Sequence, residues 1–305
     1  RMVLGEFEIP SLDSIHLNFF RQIERAKPEM VMINQGINFD GLTYGFLCKK
    51  LGIPYVLLSH KAVDFFWPPT NERSLMLEAI RGSRQNFFVS KQNLEITQGQ
   101  FGIKIPNASM VNYPIQRYVK PVPFPQLKDF LNLVCIGRIF LIDKGQDILL
   151  RVLALEKWRS RRIRISFVGS GPDEKALKEM VSYLKLKNVE FKGFVNSGEI
   201  WGSCHGLISP SRSEGFAMVV QEAMAAGRVV IATKAGGNPE LIDEGENGFL
   251  ADANVTSIDE AMERAWARKD EFERIGKLAF DKFNSTYRDS AQSDFAEKIN
   301  MLING

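Results

Sequence analysis

Ser209-Pro-Ser-Arg-Ser-Glu-Gly-Phe-Ala-Met-Val-Val-Gln-Glu-Ala-Met-Ala-Ala-Gly227 runs without a break into Arg228-Val-Val-Ile-Ala-Thr-Lys-Ala-Gly-Gly237. The first five residues are polar and include a proline. From Phe216 to Ala226 bulky and small apolar residues alternate with helical spacing, so a helix is predicted to begin near Gly215. Two carboxylates bracket that start, with Glu214 on the turn and Glu222 about two turns into the helix. Gly215 lets a ligand approach the backbone closely, and the unpaired N–H groups of a first helical turn seat an anion. The pair alone is better explained by one glutamate that favours the helix dipole and another in solvent.

Outward from this stretch, strands and helices alternate in both directions. Downstream lie a strand at Val229 to Ala232, a helix near Pro239 to Glu244, a strand at Gly248 to Ala251, and helices to the end. Upstream, strands are predicted at Leu131 to Ile136, Arg164 to Val168, Val189 to Phe191 and His205 to Ile208, with helices from Gln146 and from Pro172. Lys120-Pro-Val-Pro-Phe-Pro125 has three prolines in six residues and reads as a stiff connection between domains. Before it come strands at Glu29 to Asn34, Pro54 to Ser59, Asn86 to Ser90 and Ser109 to Tyr113. Helices alternate with them at Ser11 to Ala26, Asp40 to Leu51, Asn71 to Arg81 and Lys91 to Gly99. Ser11 or Asp13 is the expected cap of the first helix, and Arg1 to Pro10 is a mixed segment. This alternation predicts two α/β domains with parallel sheets.

The 305 residues suit two domains, and 45% hydrophobic residues suffice for their cores. A net charge of +3 without long runs of one sign gives nucleic acid no electrostatic support as a partner. The most basic segment, Lys157-Trp-Arg-Ser-Arg-Arg-Ile-Arg164, reads as a solvated helix end and the loop before a strand. Its other reading is a patch that meets anionic lipid. Cys48, Cys135 and Cys204 are odd in number and widely spaced, which argues against a disulfide framework and a zinc site and fits a reducing cytoplasm. No apolar run reaches the length of a membrane span, and the start lacks a signal-peptide pattern.

Several residues are placed where ligands of open α/β sheets bind, at the C-terminal ends of strands. Gly137-Arg138 ends one strand, and Lys144-Gly145 opens the following helix, so both cations can face the same crevice. Arginine and lysine there suit a diphosphate. Val168-Gly-Ser-Gly-Pro-Asp173 joins a strand to a helix, with Gly169 allowing close approach and Gly171 making the turn. A dinucleotide fingerprint would need a third glycine where Glu174 stands, although Glu190 lies at a distance suited to a ribose-binding acid. Gly236-Gly237-Asn-Pro-Glu240 reads as a turn and helix start, and no Walker A sequence occurs. In the first half, His60 follows a strand. Asp40 and Asn38 are read as N-caps rather than ligand contacts.

The wording Glu-Gly-Phe, Glu-Ala-Met-Ala-Ala-Gly, Val-Val-Ile-Ala-Thr and Gly-Gly-Asn-Pro-Glu closely resembles the glutamate-pair motif of the retaining glycosyltransferases of family 4. The Gly-Arg, Lys-Gly and Gly-x-Gly-Pro frames match that family as well. The resemblance implies an α/β GT-B fold of two Rossmann-like parallel-sheet domains facing a cleft. Residues 1–119 would form an N-terminal acceptor-side domain, 120–285 a nucleotide-sugar-binding domain, and 286–305 a helix crossing back to the first domain. It also implies a strand and glycine-rich loop before Glu29 that this sequence does not show, so the N-terminal domain is expected to lack its first unit.

Carried onto this sequence, the resemblance assigns Arg138 and Lys144 to the phosphates, Glu214 to the donor hexose and Glu222 to the ribose. His60 belongs to the catalytic set, although Lys61 follows it where the family commonly has Asp or Gly. Donor contacts are implied for Gly169, for Val195 in Lys192-Gly-Phe-Val195, and for Gly215, Phe216, Ala217, Met218 and Val219. The implied reaction moves a hexosyl unit from a nucleoside-diphosphate sugar, with a UDP- or GDP-sugar favoured, to a glycan or lipid-linked acceptor. It needs no cofactor, and the absence of an Asp-x-Asp motif suits transfer without a metal. A cytoplasmic place, with peripheral contact at the inner face of a membrane left open, goes with it. Two rivals remain: a non-catalytic nucleotide-sugar-binding protein, and an NAD(P)-dependent oxidoreductase built on the Gly169 loop.

Overall fold

Short runs of β-branched and aliphatic residues form parallel strands in both halves of the chain. The computed structural model describes residues 2–4, 7–9, 14–112, 121–195, 197–286 and 291–304. The chain divides into two units, Arg1–Asn112 with Ser290–Gly305, and Tyr113–Asp289.

In the first unit, β1 (Met2–Leu4) and β2 (Phe7–Ile9) form an antiparallel pair where the sequence shows only a mixed segment. The expected caps Ser11 and Asp13 lie outside the described residues. β3 (Val31–Gln35), β4 (Tyr55–Ser59), β5 (Gln85–Phe88) and β6 (Ala108–Met110) then make a parallel sheet in that order. Every residue of β4 is buried, as expected for an unbroken apolar run in a parallel sheet. Leu42, Leu47, Tyr55, Leu57, Ala79 and Phe101 meet in its core.

Helix ends in this unit follow local chemistry. The Ser90 hydroxyl accepts the Asn93 N–H to start the helix Lys91–Phe101, and Gly102 stops it at φ +64°. The expected caps at Asp40 and Asn38 are corrected by the structure, because the helix Leu42–Lys50 has Gly41 at its N-cap and no side-chain cap. Asp40 instead accepts the Ile37 N–H at 3.1 Å. The Asn38 amide is buried and donates to Thr97 Oγ1 at 2.9 Å and Gln100 Oε1 at 2.8 Å. A buried amide is stabilised by fixed partners, and a helix start open to water offers fewer of them.

The helix Ala291–Asn304 belongs to this unit. Phe295 meets Phe87 edge-on at 5.2 Å, and Lys298 bonds Ser109 Oγ at 2.9 Å. Of the expected 286–305 segment, residues 287–290 and 305 lie outside the described residues.

The second unit carries β7 (Leu131–Ile136), β8 (Ile163–Val168), β9 (Val189–Gly193), β10 (Gly206–Ser209), β11 (Val229–Thr233) and β12 (Gly248–Ala251). All pair in parallel, in the order β12-β11-β10-β7-β8-β9. The chain therefore winds outward from β7 to β9, returns to β10 beside β7, and winds outward the other way. The β7/β10 junction is a topological switch point, where the loops leaving two neighbouring strands diverge and open a crevice.

The proline segment is tied to this unit from Pro121 onward, while Lys120 lies outside the described residues. Fully buried Arg228 donates to five main-chain carbonyls, those of Trp201, Ala226, Gly227, Val122 and Pro123, at 2.7–3.2 Å. The basic segment Lys157–Arg164 is solvated only in part. Lys157 pairs with Asp259 at 2.6 Å and Glu263 at 3.0 Å, and Arg161 pairs with Glu263 at 2.8 Å while lying over Trp158 and Trp266. Two of its five cations are thereby bound to the helix Val255–Ala267, while Arg159, Arg162 and Arg164 are exposed. Among the described residues no helix is long and apolar enough to cross a membrane.

Candidate active site

Four loops leave the C-terminal edge of the second sheet, and glycines bring their backbones together. A Cβ on Gly169 (φ +124°) would stand 2.2 Å from the Gly137 carbonyl oxygen, and one on Gly171 would stand 2.2 Å from that of Ile139. Gly145 would meet the Pro210 carbonyl at 2.1 Å and Gly236 the Gly215 carbonyl at 2.2 Å. A Cβ on Gly237 would enter the Phe216 ring. The loops after β7, β8, β10 and β11 are thus packed at distances that only glycine permits. Hydrogen bonds hold them there: Ile139 N–H to Ser170 O at 3.0 Å, Gly237 N–H to Gly215 O at 2.9 Å, and Leu141 N–H to Asp173 Oδ2 at 2.8 Å.

The loops after β7 and β10 are also joined by charge. Lys144 ends the single helical turn Leu141–Lys144, and its Nζ donates to Glu214 Oε1 at 2.7 Å. The Ser211 hydroxyl donates to the same oxygen at 2.7 Å. Next to Ser211 in the chain, Arg212 grips both oxygens of Asp147, at 2.7 and 2.8 Å, and donates to Leu141 O at 2.6 Å. Ser213 Oγ bonds Asp143 Oδ1 at 2.9 Å. Burial pushes the Asp147 carboxyl up, but the hydrogen bonds and charge of Arg212 outweigh it and hold the group below the ordinary carboxylate range. Sequence reading missed Asp147, Arg212, Asp143 and Ser211. Arg212 stands in the polar run before Glu214, but nothing near it in the sequence names a partner 65 positions away.

Of the sequence-predicted residues, Lys144 and Glu214 touch, and Arg138 lies on the same β7 loop. Arg138 is exposed, with its guanidinium 4.5 Å from the centre of the Phe140 ring. Among the described residues no carboxylate pairs with it. Gly169 sits on the adjoining loop. The helix after β10 runs Met218–Ala225, three residues later than expected, so Glu222 stands about one turn into it rather than two. Gly215, Phe216 and Ala217 precede it as a buried bend, because the Phe216 side chain packs on Gly237 instead of opening a helix. Met218 is exposed, and Val219 and Glu222 are half-buried. Val195 follows β9, the outermost strand on the other side, and is half-buried.

His60 belongs to the first unit, where it follows β4 and donates its backbone N–H to Gln35 O at 3.0 Å. Burial lowers its pKa against the pull of the neighbouring Asp40 carboxylate, which favours the neutral imidazole. Glu190, the acid of the dinucleotide reading, lies within β9 and is held by Ser166 Oγ and Lys192 rather than at a loop.

Residues 131–268, which carry this whole loop edge, match the family model described as Glycosyl transferases group 1. The chain is similar to an uncharacterized glycosyltransferase of Methanocaldococcus jannaschii, 35% identical over 118 residues, 38% of this chain and 32% of the relative. It is also similar to the gpi3 subunit of phosphatidylinositol N-acetylglucosaminyltransferase of Schizosaccharomyces pombe, 32% identical over 142 residues, 45% of this chain and 30% of the relative. The matched stretches thus span about a third of the length of these curated relatives. Among solved structures, the Anabaena protein HepE in complex with UDP superposes with a TM-score of 0.75 at 17% identity, over 94% of this chain and 82% of that one. With two parallel-sheet α/β units, that likeness gives the chain a GT-B fold.

Two outcomes test the loop assembly. Gly171→Ala forces a methyl group against main chain and should cost about 2–3 kcal/mol in urea unfolding. Gly99→Ala, where a Cβ meets nothing within 4 Å in a helix, should gain about 0.5–1 kcal/mol. The Asp147–Arg212 contribution should follow pH. Because the folded carboxyl is depressed, its stabilisation is complete above the unfolded value of about 4 and is lost as pH falls through the lower folded value. The stability gap between the wild type and Asp147→Asn, measured by urea unfolding, should be full at neutral pH and close in acid.

Proposed function

We propose that the chain is a retaining glycosyltransferase that moves a hexosyl unit from a nucleoside-diphosphate sugar, UDP- or GDP-linked, to a glycan or lipid-linked acceptor. The observation that carries this reading is the Lys144–Glu214 ion pair at the β7/β10 switch point, on loops held together by glycine packing. The family match over residues 131–268 supports it, as do the glycosyltransferase names of the relatives and the UDP held by HepE.

In this reading the donor diphosphate lies over the loops after β7 and β8, with Gly169 allowing its close approach. Arg138 offers a planar fork of donors to its oxygens, and Lys144 offers a compact positive charge. Together they offset the charge that grows on the diphosphate as it leaves, in place of a divalent ion. Glu214 takes hydroxyls of the hexose, Glu222 takes those of the ribose, and the backbone N–H groups from Gly215 to Val219 face sugar and phosphate. Val195 lies with the base, and His60 completes the proposed catalytic set.

The bond from the anomeric carbon to phosphate oxygen breaks, and the acceptor oxygen bonds the same carbon on the same face. The acceptor proton passes to the departing phosphate, so no protein nucleophile is required. Lys144 has a second use here. Its ammonium is held by Glu214, whose carboxylate Ser211 fixes in turn, so a preorganised charge meets the leaving group with little rearrangement.

Release of UDP or GDP from the corresponding sugar donors is the direct test. The wild type should turn over one donor class, and Lys144→Ala should slow it by about a hundredfold or more. Turnover near the wild-type rate in that variant would remove Lys144 from the mechanism. Donor binding with no release by the wild type would make the chain a nucleotide-sugar-binding protein.

A further inference from the structure

Phe65, Phe66 and Trp67 are 52%, 53% and 60% exposed, the only three consecutive large apolar side chains so exposed among the described residues. Trp158 and Trp201, by contrast, are fully buried. The loop that carries the three aromatics is not loose. Buried Asn93 accepts the Ala62 N–H at 3.1 Å, and buried Gln100 donates from Nε2 to Val63 O at 2.8 Å and Phe66 O at 3.0 Å. Gln100 is itself fixed by Asn38, whose amide bonds its Oε1 at 2.8 Å. Pro68 and Pro69 restrict the exit, and the Phe66 ring leans on Phe39 at 5.3 Å. Three buried amides therefore prop outward the kind of side chain that folding normally hides.

A surface of this kind has to be matched by a ligand with an apolar face. Aromatic rings carry a negative face that attracts polarised C–H groups, and a loop ordered in advance loses little entropy on binding. Polar groups stand close along the chain: Asp40 follows Phe39, on which Phe66 rests, and His60, which opens the same loop, feels the Asp40 charge. Exposed rings with hydrogen-bonding groups next to them in the chain suit a pyranose, which has C–H bonds on its faces and hydroxyls around its edge. An anionic bilayer fits less well, because Lys61, Asp64, Glu72 and Arg73 on and beside the loop sum to zero charge and supply no basic excess.

We propose that the Phe65–Trp67 loop is a stacking platform for a pyranose ring, and, resting on the transferase reading, that this ring is the carbohydrate end of the acceptor. The site lies within the first unit, and binding there does not depend on the nucleotide.

The test titrates the full chain with methyl glucoside, mannoside, galactoside and N-acetylglucosaminide, following indole fluorescence and saturation-transfer NMR. At least one glycoside should bind saturably through its C–H face. Trp67→Ala should weaken that binding by about tenfold, Trp67→Phe should restore part of it, and calorimetric UDP binding should be unchanged in both. No glycoside binding by the wild type, or equal binding by Trp67→Ala, overturns the platform while UDP binding leaves the transferase reading intact. A fluorescence blue shift with phosphatidylcholine vesicles but not with glycosides overturns it in favour of a membrane contact. Loss of UDP binding in the wild type would instead strike the transferase reading.

Discussion

A backbone carbonyl cannot come within about 3 Å of another residue's Cβ without something moving, and the C-terminal edge of the second sheet is built on contacts that would break that limit. Gly145, Gly169, Gly171 and Gly236 each lie where a methyl group would overlap a carbonyl of the neighbouring loop. Remove one, and two loops must separate. Since Lys144 is one residue from Gly145 and Glu214 one residue from Gly215, the charged pair is only as well placed as those backbones. The switch point decides which loops can meet, because β7 and β10 are neighbours in the sheet though far apart in the chain. Glycine decides how closely.

Charge over the same edge differs in how far it is committed to protein partners. Arg212 and Asp147 form a bidentate pair that bolts the β10 loop to the helix after β7. Lys144 and Glu214, buried to a similar degree, are joined by a single bond that an incoming anion can share. Arg138, exposed and resting on Phe140, is the most available of these cations. In the proposed reading the bidentate pair sets the geometry, and the less committed cations meet the ligand.

Much of this was legible in the sequence, for reasons that individual elements show. β7 at Leu131–Ile136 and β12 at Gly248–Ala251 run over the residues their apolar runs predict, and the helix that starts at Gln146 does so as well, because each is bounded by local signals. The start of the helix after β10 was misplaced because Phe216 and Ala217 fit a helical pattern yet are buried against Gly237, a neighbour 20 residues on that no local pattern reveals. The Lys157–Arg164 segment looked like solvent-facing charge. Its neutralising acids, Asp259 and Glu263, stand about a hundred residues away. A separation of 65 residues likewise hid Asp147 behind Arg212. Asp40 and Asn38 precede a helix and suggested caps, but the demand of a buried amide for partners took Asn38 to Thr97 and Gln100. Motif wording pointed to the loops of the candidate site, and long-range pairing, which leaves no mark on neighbouring residues, sets their geometry.

The central claim is that the β7/β10 crevice holds a nucleoside diphosphate through Lys144 and Glu222. Isothermal titration calorimetry of the chain with UDP, GDP, ADP and NAD, alongside Lys144→Ala and Glu222→Ala, tests it most directly. The account predicts that one nucleoside diphosphate binds the wild type and that both substitutions weaken it. A folded wild type that binds none of them, or that binds NAD with an affinity unchanged by Glu222→Ala, would contradict it.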